Sequence, residues 1–199
     1  PNNPTGQYLS KSEIELVLKA AADDSLIVLD EAYIAFTEGA WDSLDLLSWR
    51  NLVIIRSMTK DFALAGLRLG YGLGSLGIVD SLCKVKPPWN VNAVAQRAGK
   101  QALGDGAYIR RSERQIRRNR DYLLAEIGAL GYQTMPTCTN FFLVKIGRAT
   151  EFRSSLMRYG IIVRDCTSFG LPEYVRIAPR TLPECRRLVQ ALKDLGKKY

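Results

Sequence analysis

The chain has 199 residues, 47% hydrophobic and 24% charged, the balance of a folded globular protein rather than a disordered one. Its formal net charge of +8 admits nucleic acid, an anionic surface or anionic small molecules as partners. No apolar run approaches the roughly 20 residues that span a bilayer, and the absence of histidine and of any C-x-x-C pair argues against a zinc site.

In chain order, Ser10 followed by Glu13 predicts a capped helix, with Leu9 and Ile14 as its hydrophobic staple and Ile14, Val17, Leu18 and Ala21 as its apolar stripe. The run Leu26 to Leu29, ending in Asp30-Glu31, predicts a strand buried on both faces. Leu52 to Ile55, ending in Arg56-Ser57, predicts a second strand at the spacing of a βαβ unit. A third, Arg68 to Leu73, follows too soon for a parallel crossover, so it should run antiparallel to the second. Beyond Pro87-Pro88 a helix is predicted from Val91 to Leu103, broken by Gly104-Asp105-Gly106.

A long helix then reaches about Leu130, with Ile109, Ile116, Leu123, Ile127 and Leu130 on its apolar side. The arginines between Arg110 and Arg120 fall on its polar side. They read as a solvated face rather than a nucleic-acid contact, since no aromatic interleaving or groove-reading motif accompanies them. Further on, Phe141 to Ile146, Ile161 to Val163 and Tyr174 to Ala178 predict strands. Thr150 is expected to cap a helix stopping at Gly160, and Thr181 with Glu184 to cap a last helix striped by Leu182, Leu188, Val189, Leu192 and Leu195. The expected fold is α/β, with a mixed, mostly parallel sheet in residues 1–104. A small α+β domain, opening on the long connecting helix, occupies 105–199. Cys83, Cys138, Cys166 and Cys185 read as free thiols of a cytoplasmic protein. The start, Pro1-Asn2-Asn3-Pro4, has no basic-then-apolar signal character.

Ligands of open α/β sheets collect at the carboxyl ends of strands. Asp30 sits at one such end, Ser57, Thr59 and Lys60 follow another, and the turn-rich PNNPTG of Pro1 to Gly6 could meet them. An acid, an amine and several donors around one crevice suit many reactions, so pattern alone stops there.

The ordered set PNNPTG, DEAYIAF (Asp30 to Phe36) and SMTKDFALAGLRLGY (Ser57 to Tyr71) resembles the fold-type I enzymes of pyridoxal 5'-phosphate (PLP), the class I and II aminotransferases. The resemblance implies that Lys60 holds PLP as a Schiff base and then moves the proton between Cα and C4'. It implies that Asp30 keeps the pyridine nitrogen protonated, so that the ring serves as an electron sink. Asn3 and Tyr33 would hydrogen-bond the ring's O3', and Ser57 and Arg68 the phosphate. Arg176 would clamp the substrate α-carboxylate. Thr59 departs from the serine common beside the lysine but keeps the hydroxyl. Residues 1–104 would be the later part of a large PLP-binding domain. Members of this family carry a long segment before PNNPTG, so a C-terminal fragment, inactive by itself, is the expectation.

The stretch from Gly160 to Cys166, then Ser168-Phe169, then Tyr174 to Ala178, looks like the histidinol-phosphate aminotransferase and threonine-phosphate decarboxylase branch. That similarity makes Arg164 the candidate for a substrate phosphate. Arg164-Asp165-Cys166 and Arg180 lean toward the decarboxylase. Pro87 to Asn92 resembles a family segment near a dimer interface, which implies a homodimer; the plainer reading is a Pro-bounded loop with a packed Trp89. A small-molecule substrate is expected, with no metal, nucleic acid or membrane. Beside the phosphorylated-substrate transaminase stand the decarboxylase, an aminotransferase of unphosphorylated amino acids, and a non-catalytic module whose basic helix meets nucleic acid.

Overall fold

The computed structural model describes residues 1–22 and 24–196. It forms two compact units, one made of Pro1 and Tyr8–Arg111, the other of Asn2–Gln7 and the chain from Ser112 onward.

In the first unit α1 (Lys11–Ala20) starts on the expected capping box, with the Ser10 hydroxyl taking the Glu13 N–H. Its buried side is narrower than the sequence stripe. Ile14 and Leu18 are buried, while Val17 is exposed. β1 (Ile27–Asp30) pairs in parallel with β2 (Leu52–Ser57). The crossover between them carries two 3-10 turns, Ile34–Phe36 and Ser43–Leu46. The four-residue α2 (Met58–Asp61) and a 3-10 turn at Ala65–Leu67 lead to β3 (Gly70–Gly74), antiparallel to β2 as its short connection requires. The core lies on one face of this sheet, where Leu52 and Ile54 meet Ile14, Leu18 and Leu46. The expectation that β1 is buried on both faces fails here: burial alternates along it, and Val28 and Ile55 on the opposite face are exposed. α1 with the crossover covers one face, on the other Val53 of β2 is buried, and the period-two alternation of β1 is the signature of a half-covered strand.

α3 (Leu76–Val85), unanticipated in the sequence, contains no buried residue. Trp89 is 94% exposed, so it is not a packed loop residue within this chain. α4 (Ala93–Leu103) is capped by Asn92, whose side chain accepts the Ala95 N–H. α5 (Gly106–Ala129) follows, and the division between units falls within it.

The second unit holds a sheet of order β4-β5-β7-β6: Gln133–Thr134, Phe142–Lys145, Tyr174–Ile177 and Arg164–Asp165. β5 and β7 are antiparallel, as are β6 and β7. α5, α6 (Ala149–Met157) and α7 (Leu182–Leu195) enclose its core of Leu123, Ile127, Phe142, Phe152, Leu156 and Val175. The capping box of Thr181 and Glu184 forms as expected.

Three local expectations change. Ile161 to Val163 are not a strand: the Ile161 N–H turns back to the Leu156 carbonyl behind Gly160 at φ +65°, and pairing with β7 begins only at Arg164. Thr150 is no cap; Arg148 holds that position, and the Thr150 hydroxyl donates to Asp165 Oδ2 at 2.6 Å. Arg120 leaves the polar side of α5: it is buried and donates to the Thr139 carbonyl.

Candidate active site

Because β1 and β2 are parallel, their carboxyl ends share one edge of the sheet. Asp30 ends β1 opposite Ile55, and Ser57 ends β2 two residues later. Neighbouring strand residues point to opposite faces. Asp30 and Ser57 therefore take one face, and Glu31 and Arg56 the other. The outcome for the adjacent acids is opposite. Asp30 is exposed, with Oδ1 accepting the Ala32 N–H at 2.9 Å. Glu31 is 3% exposed and pairs with Arg56 Nε at 2.8 Å.

Ser57 caps α2: its hydroxyl accepts the Thr59 N–H and lies 2.7 Å from the Thr59 hydroxyl. Lys60 stands exposed in that turn, its Nζ 6.0 Å from the centre of the Tyr33 ring. The return to β3 is tightly constrained. Ala63 and Arg68 adopt left-handed φ of 55° and 53°, uncommon for residues with a Cβ. Gly70 pairs with Ser57, and a Cβ there would sit 2.7 Å from the Arg56 carbonyl oxygen. This hairpin brings Arg68 back toward the end of β2, exposed and with Nη1 donating to the Ala65 carbonyl. Asp30, Tyr33, Ser57, Lys60 and Arg68 thus belong to one unit, around one sheet edge.

Residue choices behind this edge were not legible as site features. Gly99 of α4 is buried where a Cβ would lie 2.3 Å from Leu69 Cδ2 and 3.3 Å from Met58 Sδ. The helix therefore presses directly on the turn that carries Lys60. Arg56 also donates to the Ser43 hydroxyl. The only sequence signal for that buried cluster was the alternation of charged residues at the two strand ends.

The other predicted residues lie in the second unit. Arg176 Nη1 donates to Asn3 Oδ1, and its guanidinium stacks 5.1 Å from the centre of the Phe141 ring. Arg164 sits directly opposite Arg176 across β6 and β7. It donates to the Ser168 hydroxyl at 2.8 Å and lies over Phe169. Like charges directly opposite are unfavourable, and among the described residues neither arginine has a carboxylate within ion-pair distance. Both line a cavity of about 640 Å³, with Arg153, Arg180, Arg187 and Glu184 also in its wall. Asn119, buried in α5, donates to the Arg180 carbonyl at 2.6 Å and holds that wall in place. Burial pushes the Cys166 and Cys185 thiols up, which makes them poor nucleophiles.

The family model for class I and II aminotransferases matches residues 1–192. The chain belongs to that family. A solved histidinol-phosphate aminotransferase of Sinorhizobium meliloti, matching with TM-score 0.89 and 24% identity over 99% of this chain and 56% of its own, is in complex with pyridoxal 5'-phosphate. A histidinol-phosphate aminotransferase of Thiobacillus denitrificans is 38% identical, over 98% of this chain and 52% of its own length. The solved histidinol-phosphate aminotransferase of Clostridium acetobutylicum matches with TM-score 0.91 and 30% identity, covering 100% of this chain and 62% of that one. The solved L-threonine-O-3-phosphate decarboxylase of Porphyromonas gingivalis matches with TM-score 0.85 and 31% identity, covering 100% and 63%. The chain therefore spans about half the length of the curated relatives it matches. The mixed sheet with its helices is the α/β fold of these PLP enzymes.

Proposed function

We propose that the protein is a PLP-dependent aminotransferase acting on a phosphorylated amine or amino acid, with Lys60 as its catalytic residue. The observation that carries this is the grouping at one sheet edge of the Lys60 amine, the Tyr33 ring, the Asp30 carboxylate, the Ser57 hydroxyl and the Arg68 guanidinium. These groups fit the cofactor: Asp30 Oδ1 holds its own turn, and Oδ2 is left to accept from a pyridinium. Tyr33 and Asn3 would donate to the ring oxygen, and Ser57 and Arg68 to the phosphate, for which the guanidinium is a permanently charged fork. Bound PLP supplies an electron sink for the substrate Cα. The Lys60 amine, free to swing on its exposed stem, takes and returns the Cα proton. In this reading residues 1–104 are the later part of the large domain and 105–199 the small domain.

Arg176 would hold the substrate carboxylate and Arg164 a phosphate. Their unneutralised cross-strand juxtaposition supports a ligand carrying strong negative charge. A second reading, phospho-amino-acid decarboxylation, rests on Arg180 in the same cavity wall: a phosphorylated amino acid brings both a phosphate and a carboxylate. The full-length protein should be given histidinol phosphate with 2-oxoglutarate, and threonine phosphate alone. Glutamate in the first reaction supports the transaminase, carbon dioxide in the second the decarboxylase. Neither product sinks both, and activity on unphosphorylated amino acids that ignores Arg164→Ala removes the phosphate. A homodimer is supported by the exposed Trp89 after Pro87-Pro88. A cytoplasmic location is supported by four free cysteines and by the lack, among the described residues, of a helix long and apolar enough to cross a membrane. A solvated role for the basic helix is supported by its partly exposed Arg117–Glu113 pair.

A further inference from the structure

Asp61 follows Lys60 directly, yet the two meet different surroundings. Successive helix residues point about 100° apart, so Lys60 is exposed while Asp61 turns inward. Its Oδ1 is sealed from solvent and has no hydrogen-bond partner. Burial pushes this carboxyl up to about 7, against the pull of Arg56.

Arg56 on β2 is the charged group that faces it, and Arg56 is already engaged. Its Nε serves Glu31, its Nη2 serves Ser43, and it is hydrogen-bonded with Tyr71, its register partner on β3. One guanidinium thus stands near two carboxylates, and the pair with Glu31 already cancels its charge. Ionised Asp61 would be a largely buried charge answered only by its own backbone and by a guanidinium already engaged elsewhere, which is costly. It can be relieved only by drawing Arg56 from Glu31 or by turning outward. Either movement passes through α2, where Lys60 is the preceding residue.

We propose that Asp61 is a positioning residue for Lys60: its neutral acid lets α2 seat against the Arg56–Glu31 pair, and its ionisation, with the proton released to solvent, shifts the turn that carries the amine. The proposal rests on Lys60 being the cofactor lysine.

The test uses Asp61→Asn, which keeps shape and removes the titration. In the PLP-loaded full-length protein, the visible absorbance of the bound cofactor is followed against pH. The native protein should show a transition near neutrality that the variant lacks, with borohydride still fixing the cofactor to the variant's Lys60. A merely structural role would weaken the variant equally at every pH. The second arm needs no cofactor. The folded pKa is raised, so the stability contributed by Asp61 is complete below the unfolded value of about 3.9 and is lost as pH rises through about 7. Asp61→Asn should flatten that decline. If both arms keep the native pH dependence in the variant, the proposal is overturned. If the variant does not fold, the carboxyl carbon shift of Asp61 in the native protein decides: a titration near the ordinary aspartate value overturns it. Borohydride fixation that survives Lys60→Ala would instead refute the lysine assignment, leaving the stability arm to judge Asp61.

Discussion

The two units use their sheets differently. In the second, β5 is paired on both sides, and Phe142, Leu143 and Val144 are all buried, so both faces of that strand are spent on packing. In the first, β2 is equally central and Leu52, Val53 and Ile54 are likewise buried, but on the face opposite Leu52 and Ile54 the cover stops at Val53, and Val28 and Ile55 beside it remain exposed. The open face also carries Asp30 and Ser57, and Lys60 follows at its edge. In the second unit the polar chemistry sits at the rim, where β6 leaves β7 and arginines line the gap. The contrast is in where the cover ends: a strand covered on both faces to its end has only packing to offer, whereas one whose cover stops short of its carboxyl end can present charged groups there to a ligand.

The largest effect that could break this comparison lies at Lys60. In the full-length protein Lys60→Ala should cut turnover roughly 10²–10⁴-fold, the worth of a positioned acid–base group, while denaturant unfolding barely changes. Retained turnover would strip the open edge of its chemistry. Next comes the packed sheet: Phe142→Ala should cost about 3–5 kcal/mol of unfolding free energy, read from urea melts of the second unit's signal. A loss under about 1 kcal/mol would mean that β5 is not the center of that core.

Arg176→Ala should lower kcat/KM by a smaller factor, corresponding to about 1.5–3 kcal/mol for a hydrogen bond to a charged group. Arg176→Lys should recover only part of it, because an ammonium lacks the bidentate fork. Full recovery by lysine would reduce the arginine to a point charge. The smallest effect is expected at Val28, where Val28→Ala should change the stability of this chain by no more than about 0.5 kcal/mol. A cost several times larger, measured the same way, would show that the face described as open is covered in solution.

Much of the candidate site was legible because its residues are close in sequence to strand ends. Asp30, Ser57 and Lys60 were placed by the apolar runs before them, and parallel pairing put those ends on one edge. The roles proposed for Tyr33, Arg68, Asn3, Arg164 and Arg176 came from resemblance, since a tyrosine or arginine in isolation carries no positional signal. Glu31, Arg56 and Asp61 could not be ranked from the sequence: each looks like its exposed neighbour, and only packing behind the sheet separates them. Gly99 was equally silent, because its lack of a side chain matters only where α4 meets Leu69 and Met58.

By itself the sequence determined the helix caps at Ser10 and Thr181, the antiparallel return to β3, the α/β class and the family motifs. These depend on neighbours within a few residues or on connection length. Tertiary structure alone decided that Ile161 to Val163 leave the sheet, that Thr150 ties Asp165 instead of capping α6, that Arg120 is buried while the arginines before it are not, and that Val28 is exposed. Those outcomes turn on which surface a distant element covers, and the free energy of burying a side chain is set by that cover rather than by the residues beside it in the chain.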